Sequence, residues 1–268
     1  METVAHHGRT TAYERVPAEG SGRADADAGI GGGSASPICY IHGSGGDRGL
    51  WRAQLERVTR PAVALDLSGH GDSDDADADP GYEALSVYAD DVLAVVEATD
   101  AGVLAGNSLG GAVALHLLVE RAFAPEAVVL CGTGAKLTVL EDLRAWLAED
   151  FERAIDFLHG PDRLFHDPAP EAVERSTATL RETGRATTRR DFETCHRFDV
   201  RDRLDEVGVP ALALCGADDG LTPPRYHEYL AEGIPGGELA IVDDAAHLAM
   251  LERPAVFDTT VEDFLESI

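Results

Sequence analysis

The sequence predicts an α/β fold: a mostly parallel eight-stranded sheet with helices on both faces and a small helical insertion. Three observations point to it. Short apolar runs alternate with helical patterns along most of the 268 residues. Runs such as "AVVLC" and "PALALC" are apolar throughout, as suits strands covered on both sides. Between 133 and about 200 the alternation stops, and charged text takes over with apolar residues three and four apart.

In chain order, residues 1–18 supply two leading strands, expected as an antiparallel hairpin. Residues 20–37, "GSGRADADAGIGGGSASP", are rich in Gly, Ala, Asp and Ser and read as a flexible surface loop. Apolar strands are expected at 38–41, 62–66, 102–107, 127–131, 210–215 and 238–242. Helical periodicity fills about 49–59, 83–98, 109–122, 223–232 and 254–266. The core is therefore expected to comprise 1–132 and 201–268. Residues 133–200 form the insertion, interrupted by Pro or Gly near 160–161, 168–170 and 184.

Composition narrows the function classes. Asp and Glu total 49 against 22 Lys and Arg, a formal charge of −27. Such a surface repels phosphate backbones, so no nucleic-acid partner is expected. Lys136 is the only lysine, and acid excess with so little lysine resembles proteins that work at high salt, where self-repulsion is screened. No apolar run is long enough for a membrane span, and "METVAHHGRTTAYERVP" has neither a basic start nor an apolar core. A cytoplasmic location without membrane contact is the expectation. Cys39, Cys131 and Cys215 lie in apolar strand-like runs and read as buried free thiols, while Cys195 falls in a polar helical stretch. The four cysteines match no zinc spacing, so no metal is expected.

The chemistry-bearing signal is "GNSLG", a G-x-S-x-G pattern centred on Ser108. By itself Ser108 could equally cap the helix that starts at Leu109. Its setting favours a nucleophile, because strand 102–107 precedes it and a helix follows at once. A serine hydroxyl needs a base, with acid and histidine following in that order. Only His247, in "IVDDAAHLAMLERP", comes after the last strand. His227 is expected as a surface residue of its helix. The acid leaves strand 210–215; Asp219 in "GADDGLTPP" is the first choice and Asp218 the second. Oxyanion donors are expected from the backbone N–H of Leu109 and of Ser44, with Gly45 second, in the glycine-rich "IHGSGGD". That loop carries no GK[ST] and no complete G-x-G-x-x-G, which argues against a nucleotide cofactor.

These segments together, "YIHGSGG", "LDLSGHGDSD", "GNSLGG", "CGADDGLTPP" and "DDAAHLAMLERPAVF", resemble the α/β-hydrolase family in order and spacing. The resemblance implies a Ser108–Asp219–His247 triad without a cofactor. It gives Asp66, His70 and Asp72 to turn architecture and makes 133–200 a lid over the pocket. Trp146, Phe151, Phe157 and Leu158 are candidates for the lid's apolar underside; Arg185, Arg189 and Arg190 could meet a substrate carboxylate, with a solvated basic face the favoured reading for most of them. Ala246 replaces the glycine usual before the histidine. Leu248 stands where the family's carbon–carbon hydrolases place tryptophan. The expected reaction is hydrolysis of a carboxylic ester or lactone of a small, mainly apolar molecule through an acyl-enzyme. Carbon–carbon hydrolysis, thioester hydrolysis and haloperoxidase-like chemistry use the same triad, and a non-catalytic binding protein of this fold is the alternative from another class. Monomer and homodimer both remain open.

Overall fold

The computed structural model describes residues 1–17, 35–57 and 59–268. The loop expected at 20–37 lies, up to residue 34, outside them. Eight strands form one sheet: β1 Glu2–His6, β2 Arg9–Val16, β3 Ile38–Ile41, β4 Ala62–Leu65, β5 Val103–Asn107, β6 Ala127–Cys131, β7 Ala211–Gly216 and β8 Gly237–Val242. Their order is β1-β2-β4-β3-β5-β6-β7-β8. β1 and β2 form an antiparallel hairpin and β2 runs antiparallel to β4, while every later pairing is parallel.

The helices are α1 Arg52–Leu55, α2 Tyr82–Thr99, α3 Leu109–Glu120, α4 Glu141–Glu149, α5 Phe151–Leu158, α6 Pro170–Arg197, α7 Pro224–Gly233, α8 Ala249–Glu252 and α9 Pro254–Ser267. The helix expected at 49–59 is shorter. A 3-10 turn, Arg48–Trp51, whose Gly49 N–H is capped by the Asp47 side chain at 2.8 Å, leads into the single turn α1.

Side chains alternate across the parallel strands, as the period-2 pleat requires. Cys39, Ile41, Val63, Leu65, Leu104 and Leu130 face α2 and α3, whereas Ile38, Tyr40, Ala62, Ala64, Val103 and Val129 face Trp51, Phe257 and Phe264. This is why β3 to β7 read as continuous apolar runs; both faces are covered. Each fully buried leucine here contributes about 1.5–3 kcal/mol. β8, at the sheet edge, is largely exposed. Between β6 and β7 the chain builds α4, α5 and α6, with their own small core of Leu143, Leu147, Ile155, Leu158 and Leu180. α6 breaks at Gly184, whose φ of 81° and ψ of 165° are non-helical.

Among the described residues, no helix is long and apolar enough to cross a membrane.

Candidate active site

Ser108 sits between β5 and α3 with φ 53° and ψ −113°, a conformation that L residues rarely adopt. Strain of this kind costs about 1–3 kcal/mol and persists only where the surroundings impose it. Here they do. The Ser108 N–H donates to Cys131 O at 2.9 Å, and its carbonyl accepts from the Thr133 hydroxyl at 2.8 Å and from Ala112 N–H at 3.1 Å. The turn also needs bare glycines. A Cβ on Gly106 would lie 2.3 Å from Gly110 O, and one on Gly110 would lie 2.3 Å from Ile41 O. The serine is half-buried and faces a cavity rather than capping its helix; its side chain accepts no hydrogen bond from α3.

His247 follows β8 and is 4% exposed. Its loop is tied by His247 N–H to Arg163 O at 3.1 Å and by Asn107 Nδ2 to His247 O at 3.3 Å. His247 Nδ1 lies 3.0 Å from Asp219 Oδ2 and 3.1 Å from the Thr222 hydroxyl. That leaves Nε2 as the nitrogen able to accept a proton. Asp219 is buried and also accepts from Leu221 N–H at 2.9 Å, Thr222 N–H at 2.8 Å and Thr222 Oγ1 at 2.7 Å. Burial by itself would raise the Asp219 carboxyl. The His247 charge and the hydrogen bonds from His247 and Thr222 outweigh burial and hold it below the usual carboxylate value. Asp218, the second choice, is half-exposed and faces His166 at 3.7 Å instead. Asp162, His166 and Asp218 are the one group, among the described residues, with ligand atoms close enough to share a cation, and they lie outside the cavity lining. Among the described hydrogen bonds, none yet joins the Ser108 hydroxyl to His247. Such contacts are often loose before substrate binds.

Ser44 lines the cavity beside Ser108, and Leu109 follows Ser108 as the first residue of α3. Neither backbone N–H donates to a protein acceptor among the described residues. The preceding loop is fixed by His42, whose Nδ1–H donates to Gly43 O at 2.8 Å while Nε2 accepts Leu67 N–H at 3.1 Å. Burial and the neighbouring His70 push the His42 pKa down to about 4, so the ring is neutral and serves as a strut.

Ser44, Ser108 and His247 line a cavity of about 660 Å³. Its walls are Leu137, Val139, Leu143, Phe157, Leu158, Leu180 and Phe192, with Leu221 and Leu248 near the histidine. Phe157 and Leu158 thus reach it, whereas Trp146 packs on Phe157 at 5.3 Å and, with Phe151, stays in the helical cluster. Two of the three arginine candidates take the solvated position, and the third does not. Arg185 and Arg189 are exposed away from the cavity. Arg190 turns to the core, donating to Tyr88 Oη at 3.1 Å, Ala76 O at 3.0 Å and Ser68 O at 3.1 Å. The arginines that do line the cavity are Arg52, Arg175 and Arg225.

His227 is not a surface residue. It is fully buried, and its Nε2 accepts the Thr133 N–H at 3.0 Å, bracing the residue that holds the Ser108 carbonyl. Its position three residues before buried Leu230 on α7 was the available signal. Asp66 does organise the turn, accepting Arg48 N–H at 2.7 Å and Asp72 N–H at 3.0 Å. His70 reaches further, to Asp191 of α6. Cys195 is buried at the cavity wall, its Sγ 3.7 Å from Ser44 Oγ, and burial pushes its thiol up to about 12. All four cysteines are free and buried.

Residues 40–259 match the family described as the alpha/beta hydrolase family. The chain is 31% identical over 254 residues to a pimeloyl-[acyl-carrier protein] methyl ester esterase of Neisseria meningitidis, covering 86% of this chain and 94% of that protein. It is 24% identical over 245 residues to 3-oxoadipate enol-lactonase 1 of Acinetobacter baylyi, covering 88% and 90%. The solved structure of a thermophilic esterase superposes with a TM-score of 0.80 at 28% identity, covering 99% of this chain and 97% of that one.

Proposed function

Because the chain belongs to the alpha/beta hydrolase family, we propose that it is a serine hydrolase cleaving carboxylic esters, lactones included, of small and mainly apolar molecules. One observation carries the reading. The serine held in a left-handed turn opens on the same apolar cavity as a histidine whose Nδ1 is engaged by a buried carboxylate.

In this mechanism His247 Nε2 removes the Ser108 proton as Oγ attacks the substrate carbonyl. Asp219 holds the Nδ1–H tautomer and stabilises the imidazolium. The Ser44 and Leu109 N–H groups face the oxygen that becomes negative, and each such donor is worth about 2.7–4 kcal/mol. The N-terminal end of α3 adds its positive dipole at that point. His247 then protonates the leaving alcohol, and water attacks the acyl-enzyme by the same route. α4, α5 and α6 act as the lid, giving the acyl or alkyl group its apolar wall. A cavity of about 660 Å³ suits a small molecule and excludes a folded polymer. A charge of −27 suits a salt-rich and reducing interior, with four free thiols.

The test is turnover of short-chain p-nitrophenyl esters and of lactones at molar salt, wild type against Ser108→Ala. Saturable hydrolysis lost on substitution is the expected result. Absence of turnover on every ester and lactone, or equal turnover by Ser108→Ala, refutes the proposal.

A further inference from the structure

The two proposed oxyanion donors are supported unequally. Leu109 is the first residue of α3 and is fixed by the helix behind it. Ser44 lies in "GSGG", a loop whose glycines leave the backbone free to rotate, and Gly45 has φ 65°. The Gly43–Ser44 peptide, which carries the Ser44 N–H, is held at its carbonyl by His42 Nδ1–H at 2.8 Å and Gly46 N–H at 3.1 Å, but the Ser44–Gly45 peptide on the other side of Ser44 needs an anchor of its own.

That support comes from α6, across 146 residues of sequence. The Gly45 N–H donates to Asp191 Oδ2 at 2.9 Å. Beside it, Leu180 and Thr188 close over Gly45 so tightly that a Cβ there would lie 2.6 Å from Leu180 Cδ2. Asp191 is itself fully buried and is held by the hydrolase core. His70 Nε2–H donates to the same Oδ2 at 2.8 Å, and the Tyr88 hydroxyl donates to Oδ1 at 2.7 Å. His70 Nδ1 faces Ser68 O at 3.2 Å, so both ring nitrogens meet acceptors, an arrangement that favours the protonated ring beside the carboxylate. Arg190 Nε donates to the Tyr88 oxygen and completes the frame.

We propose that Asp191 is a positioning residue of the oxyanion hole: by holding the Gly45 N–H it fixes the loop on the far side of Ser44, while His42 and Gly46 hold the Gly43 carbonyl on the near side, so that the Ser44 N–H points at the substrate carbonyl. Because Asp191 is delivered by α6, the hole is complete only when the helical insertion is seated on the core. The chain thereby couples closure over the substrate to the capacity to stabilise the transition state. The inference rests on the ester-hydrolase reading above.

The experiment compares wild type, Asp191→Asn and Tyr88→Phe on p-nitrophenyl butyrate at molar salt, with melting temperature measured alongside. For Asp191→Asn, kcat should fall about 10–100-fold, less than the ~10²–10³ of losing a whole donor. KM should stay within about threefold, since the hole acts on the transition state. Affinity for a boronic acid, which mimics the tetrahedral adduct, should fall in step with kcat/KM. The Gly45 amide proton resonance should move upfield as a neutral amide oxygen replaces its carboxylate acceptor. Tyr88→Phe, which keeps the charge, should give a smaller loss of kcat in the same direction. If Asp191→Asn lowers only the melting temperature, with kcat and boronate affinity unchanged, the role is structural and the inference is overturned. If Asp191→Asn does not fold, unchanged kcat in Tyr88→Phe overturns it equally. Failure of the hydrolase reading looks different, because wild type itself would then turn over no ester.

Discussion

Replacing Asp219 by Asn probes the base most sharply. Asp219 accepts four hydrogen bonds, two at Oδ1 from the Leu221 and Thr222 amides and two at Oδ2 from Thr222 Oγ1 and His247 Nδ1. The two amides keep an acceptor in Asn by holding its carbonyl oxygen. The side-chain NH₂ must then point at His247 Nδ1, which can only accept from it. The ring proton is forced to Nε2, the nitrogen that should receive the Ser108 proton. Loss of the correct tautomer and of the imidazolium's partner is worth about 10⁴-fold in kcat. The neighbouring Asp218→Asn alters a half-exposed carboxylate 3.7 Å from His166 and should leave kcat within about twofold. Both variants are assayed on p-nitrophenyl butyrate at molar salt, well below their melting temperatures. Asp219→Asn within tenfold of wild type, or collapse of Asp218→Asn instead, would refute the assignment.

Three other outcomes follow from the same geometry. Gly106→Ala drives a Cβ to 2.3 Å from Gly110 O and should cost about 1–3 kcal/mol or more, read as a lower urea midpoint; an unchanged midpoint contradicts the close strand–helix approach. Burial alone would lower the His70 pKa, but the Asp191 carboxylate and the hydrogen bonds the ring donates to Asp191 and to Ser68 O raise it above its usual value. Its stabilisation is therefore fully present below about pH 6.5 and is lost as pH rises through the raised pKa, so the melting-temperature gap between wild type and His70→Gln should narrow from pH 6 to pH 9. A gap that widens over that range contradicts the charged pair. Finally, a charge of −27 should make melting temperature climb from 0.1 M to molar salt, as the screening length shrinks from about 10 Å to 3 Å; a flat profile removes the high-salt reading.

The readable parts of the sequence were those whose signals are local. Continuous apolar runs marked β3 to β7 because these strands are covered on both faces, and "GNSLG" marked Ser108 because a sharp turn needs its glycines within a few residues. What the text could not carry is long-range contact. The partners of Asp191 stand 103, 121 and 146 residues away, at Tyr88, His70 and Gly45. Arg190, which turns to the core instead of solvent or cavity, was missed for the same reason. Periodicity says which residues share a helix face, but the break at Gly184 and the docking of α6 decide what that face meets. His227 is a different case. Its burial followed from its spacing to Leu230 and was legible, though a polar residue on a polar helix invites the opposite reading.

The most direct test is intact-protein mass spectrometry after exposure to an aryl fluorophosphonate at molar salt. With Ser108 as the activated nucleophile, wild type should gain one phosphonyl group, mapped by peptide analysis to Ser108. Ser108→Ala should gain none, and Asp219→Asn should react far more slowly. An unlabelled wild type, or equal labelling of Ser108→Ala, would contradict the assignment.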